Sequence, residues 1–531
     1  ANVTLAENTG DTGGGLFQSG SQARLTNVTV AGNEATDRAD GIFNRGDLAL
    51  ANTLVLGNRP GDADADFVQD GTGGYTDLGG IILGGVDPAL VFAGGAPVLG
   101  DNGGPVETVA LNGRVDNPAL DAGVDTEAPD EDGRGEARVD APRVPNGGGN
   151  VSDIGAFELG GPFDAPSPVV TTAEDVFDVV DGEISLREAV AFVNDGGLAP
   201  GTTIRFAAGA GEAFETGGTI RLAEGEIAIG APVVIDGDVD GDGQPDVTIT
   251  GDAAGDDVTG PAGRTDIGAS ATDGRLSDNT RLFDVTDGDA ATELRGLVLT
   301  GGSTAGDGER GGAVQSVAPL TIADSTLQGN QTRGEHAFGG AAAVVTSQPL
   351  TVTGSTVAFN RTAGEDATGG GLFAGGALTL STSTVENNWT EGEAARGGGA
   401  AVRTFSSNYA VTVVDSTIAG NRTEGDFASG GGIWTLFGTD LIDSDVRGNR
   451  TEGASAAGGG AYAAGPLRIE GGTVADNRTE GGFSAGGGLW STREIVLENA
   501  AVAGNETLGQ SSFGGGAASG GNVTIANATL S

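Results

Sequence analysis

Cysteine is absent from this chain, so no disulfide framework and no thiol chemistry are available to it. Lysine is absent too; every strongly basic side chain is arginine, and the single histidine, His336, stands in a turn-like segment, GEHAFGG. A lysine base is thereby excluded, and an acid/base pair would have to come from Asp and Glu. No apolar run approaches the ~18 residues that a membrane-crossing helix needs. Aromatic residues make up only 5% of the sequence, and Lys plus Arg number 26 against 74 Asp plus Glu. The resulting net charge of −48 repels nucleic acid and anionic membranes. It suits cations, cationic partners and salty surroundings, whether in a halophile or in a secreted chain from a GC-rich genome.

What the chain has is glycine and repetition. Glycine occupies 100 of 531 positions without the strict triplet period of collagen, and Leu, Ile, Val and Phe stay frequent, which argues against disorder. An Asn recurs at Asn330, Asn360, Asn388, Asn421, Asn449, Asn477 and Asn505, mostly 28 residues apart. A repeat that short has no way to bury its own apolar face, so copies must stack into a solenoid.

Each repeat holds three short apolar stretches. The first follows glycines, as in GGGLF (Gly369–Phe373) and GGGIW (Gly430–Trp434). The second alternates, as in LTLSTS (Leu378–Ser383). The third, as in STVAFN (Ser355–Asn360), ends at the recurring Asn. Alternation puts one side chain in and the next out. Leu327, Val357, Val385, Ile418, Val446, Val474 and Val502 then form an inward column. The fold expected is an all-β, right-handed parallel β-helix with three short strands per ~28-residue rung, neighbouring rungs ~4.8 Å apart. The Asn side chains are expected to form a hydrogen-bonded structural ladder in a turn column. Each also opens an Asn-x-Thr sequon, a glycosylation acceptor pattern.

Along the chain, residues 1–58 read as the end of one rung array and 59–158 as an irregular closing segment. Residues 159–167 are a Pro/Gly linker, 168–290 the opening region of a second β-helix, and 291–531 its regular rungs. In that opening region Ser185 and Glu188 make a capping box before an apolar face of Leu186, Ala189, Val190 and Val193. The predicted helix, Ile184–Asp195, would cap the exposed end of a solenoid core. Both chain ends carry the third-strand pattern, ANVTLAEN and NATLS. They are expected either to stack head to tail on a neighbour or to belong to a longer chain.

Three patterns carry a family resemblance. Thr171–Asn194 is similar to the Cys-Ser-Leu-Arg-Glu-Ala motif that opens secreted prokaryotic surface β-helix proteins, with Ile184 in place of the Cys. NPALDAG (Asn117–Gly123), DGRGEAR (Asp132–Arg138) and DIGAFE (Asp153–Glu158), preceded by DNGGP (Asp101–Pro105), resemble the choice-of-anchor-type segment that closes such helices. The rungs are similar to chlamydial polymorphic outer-membrane protein repeats. The resemblance implies an extracellular or cell-surface protein. It brings no catalytic residue, and its opening and closing parts stand here in circularly shifted order.

Four further features bear on function. Asp238, Asp240, Asp242, Gln244 and Asp246 in DVDGDGQPD place several oxygens around a glycine-rich turn, which suits calcium; the competing reading is a solvated acidic turn. Asp236 is a further candidate ligand, and GDADAD (Gly61–Asp66) is a weaker copy. Glu391, Glu424, Glu452 and Glu480 run beside Arg361, Arg422, Arg450 and Arg478, as alternating ion pairs or as a calcium-bridged column. Phe373, Trp434, Tyr462 and Trp490 fall on the outward parity of the first strand, as a glycan or lateral contact or packed under loops. The 33-residue rung containing Thr404–Val411 breaks the repeat but brings no carboxylates.

The expectation is a non-catalytic structural unit of a surface fibre or adhesin, with structural calcium and end-to-end self-association or neighbouring units as partners. A glycan-binding module is the alternative, and a polysaccharide lyase or hydrolase the second alternative.

Overall fold

The computed structural model describes residues 1–58, 66–71, 73–146, 149–255, 279–403 and 411–531. The chain is all-β with parallel sheets stacked as a β-solenoid. It divides into two compact units. One comprises Ala1–Ala165 with Val176–Glu183; the other comprises Pro166–Asp175 with Ile184–Ser531.

In the second unit the alternating stretches do what their pattern dictates. A 12-stranded parallel sheet runs from Val169–Val170 to Val523–Ala526, an 11-stranded sheet from Gly218–Arg221 to Thr529–Leu530, and a 10-stranded sheet from Ile227–Ile229 to Ala517–Ser519. Register is kept from rung to rung, so Leu327 pairs with Val357, Val357 with Val385 and Val385 with Ile418. The whole inward column, Leu327 to Val502, is buried. The rung has one more strand than the three expected. A two- or three-residue strand after each Asn, such as Arg422–Thr423, builds an eight-stranded sheet of its own.

The helix (α1, Leu186–Asn194) starts where its signal lies. The Ser185 hydroxyl accepts from the Glu188 N–H at 3.1 Å, and the Glu188 carboxylate accepts from the Ser185 N–H at 2.8 Å. Its apolar face, extended by Phe192, joins the same core as Ile227, Ile229 and Ile204. A helix satisfies its own backbone, which is what suits it to cover the first rung. Among the described residues no helix is long and apolar enough to cross a membrane.

The first unit has a short parallel array in which Val3–Ala6, Ala23–Ala31, Leu48–Val55 and Ile81–Leu83 pair in that order. Its less regular part closes over a separate core of Phe92, Leu120, Ile154 and Phe157. The three motifs quoted for the closing segment converge there. Asp153 accepts from the Asp121 N–H at 2.8 Å and from the Leu159 N–H at 2.6 Å. Glu158 accepts from the Asp153 N–H at 3.0 Å and pairs with Arg138. Asp132 pairs with Arg134 at 2.8 Å.

Asp121 in this network is fully buried. Burial pushes its carboxyl up to about 7; the charges of Asp140, Glu158 and Asp125 add to this, and the Ala141 N–H opposes it. The folded state therefore holds this proton more tightly than the unfolded chain, whose Asp titrates near 3.8. The contribution to stability is fully present below that value and is lost as pH rises through about 7. The first unit should be more stable at pH 5 than at pH 8 by on the order of 1–3 kcal/mol. Thermal unfolding across that range checks this, and Asp121→Asn should flatten the profile. An unchanged slope in the variant would place the pH dependence elsewhere.

Candidate functional site

The Asn ladder is continuous. From Asn360 onward each Asn Oδ1 accepts both the backbone N–H and the Nδ2–H of the Asn one rung before it, and Asn330 Oδ1 accepts from the Gly302 N–H at 2.9 Å. For Asn421 both distances, from Asn388, are 3.0 Å. Its own Nδ2 donates to the Val385 carbonyl at 2.8 Å and to Asn449 Oδ1 at 3.0 Å. The same geometry links Asn330, Asn360, Asn388, Asn421, Asn449, Asn477 and Asn505. Asn330 to Asn477 are fully buried, as are Thr332, Thr362, Thr390, Thr423, Thr451 and Thr479 of the corresponding sequons. These sequons are thus out of reach of a glycosylating enzyme once the chain is folded.

A second ladder runs along the neighbouring corner. Ser325 N–H donates to Ser355 Oγ, Ser355 to Ser383, Ser383 to Ser416 and Ser416 to Ser444, at 3.1–3.2 Å. The sequence signal was there, a Ser before the third strand in five successive rungs, but Ser is too common in turns to single out. The first unit has its own ladder, Asn8 to Asn33 to Asn58, which ends on Asp66. A carboxylate serves only at the last position, because it accepts but has nothing to donate onward. Asp66 thus has a structural partner. The rest of the weaker acidic copy, residues 61–65, lies outside the described residues, as do residues 404–410 of the 33-residue rung.

The acidic loop joins two strands of one rung, Val233–Asp236 and Val247–Thr250. Oxygens of Asp238, Asp240 and Asp246 lie within 4.8 Å of one another. The other two expected ligands are not part of this group. Asp242 Oδ1 accepts from the Gln244 N–H at 2.7 Å, and Gln244 Nε2 donates to the Gly243 carbonyl at 3.1 Å. Asp238 also shapes the turn, accepting from the N–H groups of Gly241 at 2.8 Å and Gly243 at 3.1 Å. Asp236 is outside this group as well and pairs with Arg295 at 2.7 Å. Three converging carboxylate oxygens are a donor set for a hard cation such as calcium, with backbone carbonyls and water to complete it.

The charged columns resolve into alternating ion pairs. Arg422 reaches Glu452 at 3.2 Å, Arg450 reaches Glu452 at 3.1 Å and Glu480 at 2.6 Å, and Arg478 reaches Glu480 at 2.9 Å. Arg361 holds Glu391 and Arg422 holds Glu424. These glutamates are engaged by guanidinium groups, as the ion-pair reading has it.

The aromatic residues have the outward parity expected of them, yet no exposed stripe results. Phe373 and Trp434 are each 5% exposed, and Tyr462 and Trp490 are half-buried. The cover comes from the preceding rung: Phe338, ahead of the strand Ala342–Val344, stacks on Phe373 at 4.6 Å, and the guanidinium of Arg396, ahead of Ala400–Val402, lies 5.3 Å from the Trp434 ring centre. Parity says which face a side chain takes, and packing from elsewhere decides whether that face is open.

No family model, curated protein or solved structure matches the chain.

Proposed function

We propose that the protein is a non-catalytic extracellular structural element: a calcium-stabilised β-helix unit of a cell-surface fibre or adhesin. It joins end to end with copies of itself or with further units of a longer chain. The observation that carries this reading is the unbroken, buried Asn ladder, in register from Asn330 to Asn505. Such repetition makes each rung a bonded spacer between its neighbours, which is the mechanical requirement of a stiff rod. The resemblance of Thr171–Asn194 and of the closing motifs to surface β-helix proteins supports the location. So does the charge of −48, which suits a surface in salty or calcium-rich surroundings. End-to-end joining is supported by strand physics. A parallel rung array grows by adding a rung to a strand edge, so a further unit can join it through the same ladder.

Asp238, Asp240 and Asp246 are the residues that would hold the ion. They fix the corner where an inserted loop interrupts the tight turn between two sheets. Calcium at about 100 times its Kd should stabilise the second unit by about 2.7 kcal/mol. Thermal unfolding with calcium and with chelator measures this. Asp240→Asn, at an exposed position, should remove most of the calcium-dependent shift while leaving the chelated protein unchanged. An unfolding temperature indifferent to calcium in the unaltered chain would remove the ion from the proposal.

A further inference from the structure

Two columns flank the buried Asn ladder on the surface, and both carry an aromatic exception at one place. The position before each Asn is glycine at Gly329, Gly420, Gly448 and Gly504, always at positive φ. Asn387 and Asp476 hold the same conformation in two other rungs, and both residue types tolerate it. At Phe359 it is held, at φ 56°, by an aromatic residue. Phe427 and Phe483 also hold positive φ in other turns, so what sets Phe359 apart is its place in this column and not its backbone. The position after each Asn is Arg361, Arg422, Arg450 and Arg478 in four rungs; between the first two of these it is Trp389. The two aromatic exceptions fall on adjacent rungs and line one recess of about 280 Å³, together with Asn387, Glu391, Gly420 and Arg422.

The recess is organised around the indole. Trp389 Nε1–H donates to Glu391 Oε1 at 2.7 Å, the other Glu391 oxygen is held by Arg361, and the Arg361 guanidinium lies 6.0 Å from the indole ring centre. Burial alone would raise the Glu391 carboxyl, but the bonds from Arg361 and Trp389 outweigh it and leave the group lowered and ionised. Asn387, at φ 55°, lays its amide oxygen over Gly420, where a Cβ would come within 2.7 Å. Gly420 thus provides space for the recess as well as a turn.

We propose that this recess binds a pyranose ring of a neutral oligosaccharide. A pyranose presents an apolar C–H face beside a rim of hydroxyls that both donate and accept. Two aromatic side chains suit the face; the carboxamide of Asn387, the Glu391 carboxylate and the Arg422 guanidinium suit the rim. The volume falls just below the ~300–1,000 Å³ of drug-sized ligand clefts, as suits a single ring. The strongly acidic chain disfavours uronates and other anionic sugars. The site is separate from the covered stripe of Phe373 and Trp434, and it stands or falls independently of calcium and of assembly.

The test is titration of the full chain with short gluco-, manno- and galacto-oligosaccharides by calorimetry and by tryptophan emission, with a polyuronate oligosaccharide beside them. Phe359→Gly and Trp389→Arg restore the residues that other rungs carry, so both variants should fold, which circular dichroism verifies. Saturable binding to at least one neutral series, weakened at least about tenfold in each variant, is the expected result. Three results overturn the proposal: no neutral series binds, binding is undiminished in both variants, or only the polyuronate binds.

Discussion

Asn421→Ala should destabilise the second unit by about 4 kcal/mol, one of the largest effects available to a single surface-distant substitution in this chain. The replacement deletes the acceptor of two buried donors, the Asn388 N–H and one Asn388 Nδ2–H, both at 3.0 Å. It also deletes the donor to the Val385 carbonyl. Asn421 is fully buried, so water does not take over these bonds in place. Each orphaned group costs about 1–3 kcal/mol. Guanidinium unfolding measures the sum. Native-state hydrogen exchange should localise the loss to the rungs on either side, because stacked repeats open locally before they open together. Asn421→Asp should be little better, since a carboxylate facing Asn449 Oδ1 brings two acceptors together. A loss below about 1 kcal/mol would mean that the ladder contributes order without contributing stability.

Gly431→Ala should be at least as damaging, about 3 kcal/mol or more, and for a different reason. Its Cβ would lie 2.4 Å from the Gly459 carbonyl oxygen and 2.5 Å from that of Arg450. Both are backbone atoms of the next rung. The Gly459 carbonyl is already engaged by the Gly432 N–H at 3.3 Å, so the rungs must separate or shear. Soluble yield and guanidinium unfolding both report on this. Gly288→Ala in the same unit meets nothing within 4 Å and serves as the control; it should be neutral or slightly stabilising. Equal behaviour of the two variants would show that rung spacing is looser than the structure has it.

These two residues also show how much was readable beforehand. The Asn spacing predicted stacked parallel strands, an inward column and a hydrogen-bonded ladder, because all three follow from a local period repeated many times. The glycine triplet announced backbone constraint but not its division of labour. Gly430 supplies a left-handed turn at φ 68°, while Gly431 supplies absence of a side chain where two rungs touch. The fourth strand, Arg422–Thr423, was illegible because two residues carry no alternation. The covering of Phe373 was illegible because Phe338 lies in a different turn of the coil and reaches it only after stacking.

In the acidic loop, composition pointed to oxygens around a turn. It did not separate Asp238, Asp240 and Asp246, which converge, from Asp242, which lies outside that group. The recess at Phe359 and Trp389 had a signal in the sequence: an aromatic replaces glycine in one column and arginine in the next, on adjacent rungs. It is a signal only once the structure shows that the two columns flank the same ladder.

The measurement that bears most directly on a calcium-stabilised structural rod is electron microscopy of the purified chain, with calcium and with chelator. The account predicts filaments one solenoid wide in calcium, built by end-to-end addition and shortened or lost on chelation. Isolated particles of single-chain length in both conditions would contradict assembly by the chain on its own.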